Sequence, residues 1–161
     1  MLTLYDVAVN KILTNLEDFE VLTFQLIILA APSGSGKTAI LQEISKTKKY
    51  PLINVNWELA SKLKDLSNLQ RSLHSGQILT EIIDQYDNLP VLLDNIELLF
   101  DVSLKLNPLA LLKKISRNRP VISSWNGTVE YNRLNYAVPG HPQYSHYDLD
   151  DIIVINLESV E

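Results

Sequence analysis

The stretch APSGSGKT at residues 31–38, here called the glycine loop, constrains the fold of this chain more than any other feature. It follows an apolar, β-branched segment at 21–30, which predicts a buried strand, and it precedes TAILQEISK, whose apolar spacing predicts a helix to about Lys48. Strand, glycine-rich turn and helix in this order match the phosphate-binding pattern GxxxxGK[ST], with Ala31 in place of the first glycine. Small residues are needed there because main-chain N–H groups must surround phosphate oxygens.

The pattern assigns a task to each side chain of the loop. Lys37 would contact the β- and γ-phosphates, Thr38 would bind Mg²⁺ through its hydroxyl, and the following helix would direct its positive end at the anion. We therefore predict ATP and Mg²⁺ as cofactors, although the pattern does not separate ATP from GTP. The predicted cofactor-binding residues are Ser33, Gly34, Ser35, Gly36, Lys37, Thr38 and Ala39.

A carboxylate is expected beside this loop to hold the magnesium ion. The segment PVLLDN predicts a buried strand that ends in an acid, so Asp94 is predicted to bind Mg²⁺ together with Thr38, and the alternative is that Asp94 caps the next helix. The position after Asp94, where many related ATPases carry their catalytic base, is Asn95. Two other bases stay open: Glu97, three residues beyond Asp94, and Glu58, after the predicted strand 51–56. Either could instead be a surface carboxylate.

Three further polar residues are candidates for the catalytic step. Asn126 lies near the end of the predicted strand VISSW and would hydrogen-bond the γ-phosphate or the attacking water, or would simply form a turn before Gly127. Arg117 and Arg119 flank the end of a predicted helix. They would lie beside the γ-phosphate, would act in trans on a neighbouring subunit, or would only complement the helix dipole.

The rest of the chain alternates between helical and strand patterns. Helices are predicted at residues 4–19, 36–48, 58–66, 78–86 and 107–117, and strands at 21–30, 51–56, 90–95, 120–124 and 151–157. This alternation predicts an α/β, three-layer P-loop NTPase fold with a mostly parallel five-stranded sheet. We expect a single domain over 1–161, with a leading helix within 1–20 and a Tyr-rich insertion or hairpin at 126–150.

Composition excludes several function classes. A net charge of −5 disfavours direct DNA binding by this chain alone. The longest apolar run, 26–32, is shorter than the roughly 18 residues of a membrane span, and no secretion signal is apparent, so we expect a cytoplasmic protein without membrane contact. There is no cysteine, and the histidines lack acidic partners at ligand spacing. The aromatic segment 125–147 predicts core cover or protein docking rather than binding of single-stranded nucleic acid.

Five segments together carry a family resemblance. APSGSGKT, NVNWEL, LLDNIELLF, NPLALLKKISRNR and YAVPGHPQY resemble BrxF, the small P-loop protein of BREX phage-defence systems, over about residues 20–150. The resemblance implies an ATP-binding protein with an AAA+/ASCE-like core that works with other BREX proteins. AAA+ proteins usually carry a helical lid domain, but this chain stops just past 151–157. We therefore expect no lid and a homo-oligomer, in which another subunit helps to enclose the nucleotide.

These features predict an ATPase module that couples nucleotide binding and slow hydrolysis to oligomerisation or partner assembly. An alternative, supported by Asn95, is an adaptor that binds nucleotide without hydrolysing it. A small-molecule or nucleotide kinase is less favoured, because four arginines in the whole chain are few for clamping two phosphate-bearing substrates.

Overall fold

The computed structural model describes residues 3–18, 23–137, 140–149 and 151–159. In chain order its main elements are α1 (Leu4–Leu16), β1 (Leu26–Ala31), α2 (Lys37–Lys48), β2 (Leu52–Asn54), α3 (Val55–Leu63), α4 (Asn68–Asp84), β3 (Val91–Asp94), α5 (Pro108–Ile115), β4 (Val121–Asn126), β5 (Val129–Glu130), β6 (Arg133–Tyr136), β7 (Ser145–Asp148) and β8 (Ile153–Asn156). Short 3₁₀ turns occupy Glu97–Phe100, Val102–Leu104 and Leu157–Ser159.

The central sheet has five strands in the order β2-β3-β4-β1-β8, and all four pairings are parallel. The predicted α/β class with a five-stranded sheet is thus confirmed. Strand β1 has all six residues buried, because helices cover both faces of the sheet. Its alternate residues divide between two apolar clusters: Ile28 packs on the side of α3, α4 and α5, whereas Ile27 packs on the side of α1 and α2.

Several predicted boundaries differ from the observed ones because of helix caps. The side chain of Asn54 accepts a hydrogen bond from the N–H of Trp57, so the chain becomes helical at Val55 and β2 is shorter than predicted. Helix α4 begins ten residues before the predicted start at 78, since Ser67 and Gln70 form a capping box. Strand β1 begins at Leu26, and the predicted residues 19, 21 and 22 lie outside the described part of the chain.

Strands β5, β6 and β7 form a second sheet, the hairpin sheet, in which both pairings are antiparallel. It is anchored on Trp125, which is fully buried and donates from Nε1 to the main-chain oxygen of Asn135 at 2.9 Å. Tyr136 stacks on Phe100 with ring centroids 3.4 Å apart, and both pack edge-on to Trp125. These rings therefore serve as core, whereas Tyr131 is 97% exposed.

The parallel order brings the carboxyl ends of β1, β3 and β4 to one edge of the sheet. Ala31 pairs with Asn126, and Asn54 pairs with Asp94. The glycine loop and the strand ends that carry the predicted site residues thus meet at this carboxyl edge. In the residues that the structure describes, no helix combines the length and the apolar character needed to cross a bilayer.

Candidate functional site

The glycine loop turns the chain from β1 into α2 through two left-handed residues. Gly34 has φ of 80° and Gly36 has φ of 94°, a conformation in which side chains other than glycine are strained. Gly36 is also the N-cap of α2 and offers no capping side chain. The first N–H groups of the helix are therefore free to donate to a bound anion at the positive end of the helix dipole.

Lys37, the first residue of α2, is folded against its own loop. Only 6% of its surface is exposed, and its Nζ donates to the main-chain oxygens of Ala31 at 2.8 Å and Pro32 at 2.9 Å. Burial lowers the pKa of Lys37, and the negative charges of Asp94 and Glu97 oppose that change. The lysine thus lies within electrostatic range of both predicted carboxylates.

Thr38 and Asp94 form a direct link between α2 and β3. The Thr38 hydroxyl donates to Oδ2 of Asp94 at 2.6 Å. A hydroxyl and a carboxylate are hard oxygen ligands of the kind that Mg²⁺ prefers, and Mg²⁺ usually takes few protein ligands and several from phosphate and water. These two side chains therefore fit a magnesium ion. No cluster of three or more His, Cys, Asp or Glu suited to a metal occurs within the described ranges.

Glu97 is held by two asparagine side chains from different parts of the chain. The amide of Asn126, at the end of β4, donates to Oε1 at 2.8 Å, and the amide of Asn56, in the first turn of α3, donates to Oε2 at 2.8 Å. Asn56 is itself fixed, since its Oδ1 accepts the N–H of Leu98 at 2.7 Å. Both oxygens of Glu97 are thus oriented while each retains a lone pair for a further donor.

The turn that follows Asp94 determines where the side chain of Glu97 lies. Asn95 has φ of 52°, a left-handed conformation that asparagine tolerates better than most residues. Its carbonyl accepts the N–H of Asn56 at 2.8 Å, which ties the turn to α3. The 3₁₀ turn Glu97–Phe100 then places Glu97 between the C-terminal end of β4 and the N-terminal turn of α3.

The sequence did not single out Asn56, and it left Glu58 and Glu97 as equal alternatives. The structure brings Asn126 and Glu97 into contact and adds Asn56 to them. Glu58 lies two residues after Asn56, in the first turn of α3, and the described hydrogen bonds do not join it to this group. The available signal for Asn56 was its place at the end of the predicted strand 51–56, because polar residues at strand ends gather at the carboxyl edge.

The two predicted arginines lie at the opposite edge of the sheet, which corrects their expected place beside the γ-phosphate. They precede β4, whose first residue, Val121, pairs with the first residue of β1. Arg119 is 6% exposed and donates from Nη2 to the oxygen of Tyr86 at 2.8 Å, so it is a packing residue and is not accessible to a neighbouring subunit. Arg117 is exposed, and its guanidinium lies 5.2 Å from the ring centroid of Phe24.

Fold and site together define an α/β protein with a glycine loop, a hydroxyl–carboxylate pair and an oriented glutamate at the carboxyl edge of a parallel sheet. No protein-family model and no curated protein matches this chain. Among solved structures, the chain is similar to the structure of C. elegans PCH-2, with a TM-score of 0.47 and 21% sequence identity. That match covers 80% of this chain, which spans 39% of the PCH-2 chain.

Proposed function

We propose that this chain binds Mg–ATP in the glycine loop. The observation that carries the proposal is that Lys37, Thr38 and Asp94 lie together at the start of α2, whose first N–H groups have no capping side chain. Ser33, Gly34, Ser35, Gly36 and Ala39 would complete the main-chain contacts to the phosphates. Magnesium, held by Thr38 and Asp94, would neutralise phosphate charge when bound.

Glu97 is the residue proposed to orient water for hydrolysis. Its two carboxylate oxygens accept hydrogen bonds from Asn56 and Asn126, and its negative charge opposes the lowering of the pKa of Lys37 by burial. Asn126 would also contact the γ-phosphate or the attacking water from the end of β4. A fixed acceptor is what a water-positioning role requires, because hydrolysis in this class depends mainly on positioning and charge.

We further propose that turnover depends on assembly with other copies and with partner proteins of a BREX-type defence complex, in the cytoplasm. Arg117 supports a role in trans, because it is exposed but lies at the far edge of the sheet from its own glycine loop. The resemblance of LDNIELLF, SRNRPV and the PGHP segment to BrxF supports the choice of complex. The chain would then hydrolyse ATP slowly when dilute.

Binding is tested by titration calorimetry with Mg–ATP on the native chain and on Lys37→Ala. We expect the variant to lose roughly 10- to 100-fold in affinity, since hydrogen bonds to charged groups contribute about 1.5–3 kcal/mol. Lys46→Ala, at the exposed end of the same helix, is the matched control and should bind like the native chain. Absence of ATP and GTP uptake by the native chain would refute the proposal.

The assembly step is tested by phosphate release at increasing protein concentration and by mixing Lys37→Ala with Arg117→Ala. If Arg117 acts in trans, the mixture should recover activity that neither variant has alone. Lys113→Ala is the control, because Lys113 lies over the same Phe24 ring, 5.5 Å from its centroid. Tight ATP binding without any concentration-dependent phosphate release would favour the adaptor function instead.

A further inference from the structure

A cavity of about 350 Å³ lies between the glycine loop and the hairpin sheet. On the loop side its wall includes Ser33, Glu97 and Asn126, and on the hairpin side it includes Thr128, Tyr136 and Gln143. The oriented carboxylate of Glu97 therefore lines a partly open cavity. The cavity adjoins Pro32 and Ser33, in the first half of the glycine loop. It is also lined by Glu97, whose negative charge opposes the lowering of the pKa of Lys37 by burial.

The volume exceeds what a hydrolytic water needs. One water occupies about 30 Å³ of liquid, whereas small-molecule sites begin at roughly 300 Å³. The wall combines apolar surface from Pro32, Tyr136 and Ala137 with a few hydrogen-bonding side chains. This mixture is typical of a site that binds a small organic molecule and fixes its orientation with a few polar contacts.

The charges of the wall restrict the chemistry of that molecule. Among the described residues that line the cavity there is no lysine or arginine; Glu97 contributes a carboxylate, and His141 contributes an imidazole. A second phosphate-bearing substrate would therefore meet the negative charge of Glu97 without a permanently charged lysine or arginine to offset it. The scarcity of arginine thus argues against a phosphorylated acceptor, but it does not argue against a neutral one.

We propose that this cavity binds a neutral, hydroxylated small molecule of nucleoside or sugar size, which takes the terminal phosphoryl group of ATP in place of water. This inference rests on the proposed ATP site. The acceptor oxygen forms a bond to the γ-phosphorus, the bond from that phosphorus to the β,γ-bridging oxygen breaks, and its electron pair leaves with ADP. The proton of the acceptor hydroxyl passes to Glu97. Thr128 and Gln143 hydrogen-bond the other hydroxyls of the acceptor.

Binding is measured by ligand-observed NMR with a panel of nucleosides, pentoses and hexoses, with and without a non-hydrolysable Mg–ATP analogue. We expect a panel member to bind the native chain and to bind roughly tenfold more weakly to Thr128→Val with Gln143→Leu, which loses two hydrogen bonds. The control carries the same changes at exposed sites away from the cavity, Thr47→Val with Gln77→Leu, and should bind like the native chain. Failure of every panel member to bind, or equal binding to both double variants, would overturn the proposal.

Transfer is measured on the full chain with Mg–ATP and the bound panel member. The expected result is ADP together with a phosphorylated acceptor, detected by ³¹P NMR and mass spectrometry, with less free phosphate than without acceptor. ATP uptake and phosphate release that are unchanged by every panel member would sink the acceptor proposal and leave the ATPase proposal intact. Lack of ATP uptake in calorimetry would instead remove the ATP site on which both proposals rest.

Discussion

The glycine loop and the hairpin sheet border the same cavity, but their structures arise in different ways. The loop is a run of contiguous residues whose shape follows from two left-handed glycines and the start of α2. The hairpin sheet depends on contacts between distant residues: Phe100 stacks on Tyr136, and Trp125 hydrogen-bonds Asn135. The proposed phosphate site is therefore encoded locally, whereas the wall that would select a second ligand is encoded by tertiary packing.

The two regions meet at Asn126 and Gly127. Asn126 ends β4, pairs with Ala31 at the start of the loop and donates to Glu97. Gly127 follows at once, and its N–H donates to the oxygen of Ala31 at 3.1 Å. Substitutions on the loop side should therefore change chemistry with little loss of stability, and substitutions on the hairpin side should do the reverse.

Glu97→Gln provides the sharpest separation of the two regions, with the largest expected effect. Glutamine keeps the size of the side chain but removes the charge that would orient water, so we expect phosphate release to fall by roughly 10²- to 10⁴-fold. Mg–ATP affinity should change little, because Lys37, Thr38 and Asp94 remain. The thermal midpoint should fall slightly, because the NH₂ of glutamine replaces one of the two oxygens that accept the amides of Asn56 and Asn126. The measurements are steady-state phosphate release, calorimetry and thermal unfolding.

Glu58→Gln is the matched control for that prediction. Glu58 was an equal alternative from the sequence, but the structure gives the hydrogen bonds from Asn56 and Asn126 to Glu97. The control should retain near-native hydrolysis. A large loss in Glu58→Gln together with near-native activity in Glu97→Gln would assign the base to α3 and break the proposed division of roles.

Gly127→Ala is expected to show the opposite behaviour. An added Cβ would overlap the main-chain oxygen of Asn135, the same atom that accepts the Trp125 hydrogen bond. We expect the free energy of unfolding to fall by about 3 kcal/mol, at the upper end of overpacking effects, while Mg–ATP affinity in the folded fraction stays within a few-fold. Urea unfolding and calorimetry measure the two quantities.

Gly76→Ala supplies the comparison for that glycine. Gly76 lies inside α4, where an added Cβ would meet Leu111 at an ordinary contact distance of 3.5 Å. Alanine there should stabilise the chain by about 0.5–1 kcal/mol through helix propensity. Equal stability changes in the two variants would show that close approach of the hairpin sheet does not decide the effect at Gly127.

The sequence reveals the loop side far better than the hairpin side. Gly34, Gly36 and Lys37 were assigned from one contiguous motif, and Asp94 from the apolar strand that precedes it, because strand ends and loops leave local patterns. The parallel five-stranded sheet followed from the alternation of elements. The roles of these residues in binding remain predictions that the experiments above address.

What the sequence did not reveal depends on distance along the chain. Asn56 holds Glu97 across 41 residues, and no local pattern indicates that pairing. The start of α4 was missed because its capping residues are polar and precede the apolar stripe. Arg119 was misplaced because a helix end in the sequence does not show which edge of the sheet it faces, and only the register of β4 against β1 decides this.

The smallest expected effect concerns the influence of the Glu97 charge on the pKa of Tyr136, across the cavity. Burial, with smaller effects from Glu97 and Tyr147, raises the pKa of Tyr136 from 10.0 to about 12. The unfolded chain loses this proton near pH 10.0 and the folded chain only near 12, so the contribution of Tyr136 to stability is complete below pH 10 and is lost between pH 10 and 12. Urea unfolding of the native chain and of Tyr136→Phe should show a difference in the free energy of unfolding that shrinks across this window.

In Glu97→Gln the midpoint of Tyr136 ionisation, followed by tyrosinate absorbance, should move toward 10, because one negative charge is gone. An unchanged midpoint in Glu97→Gln would show that the two walls of the cavity are electrostatically independent.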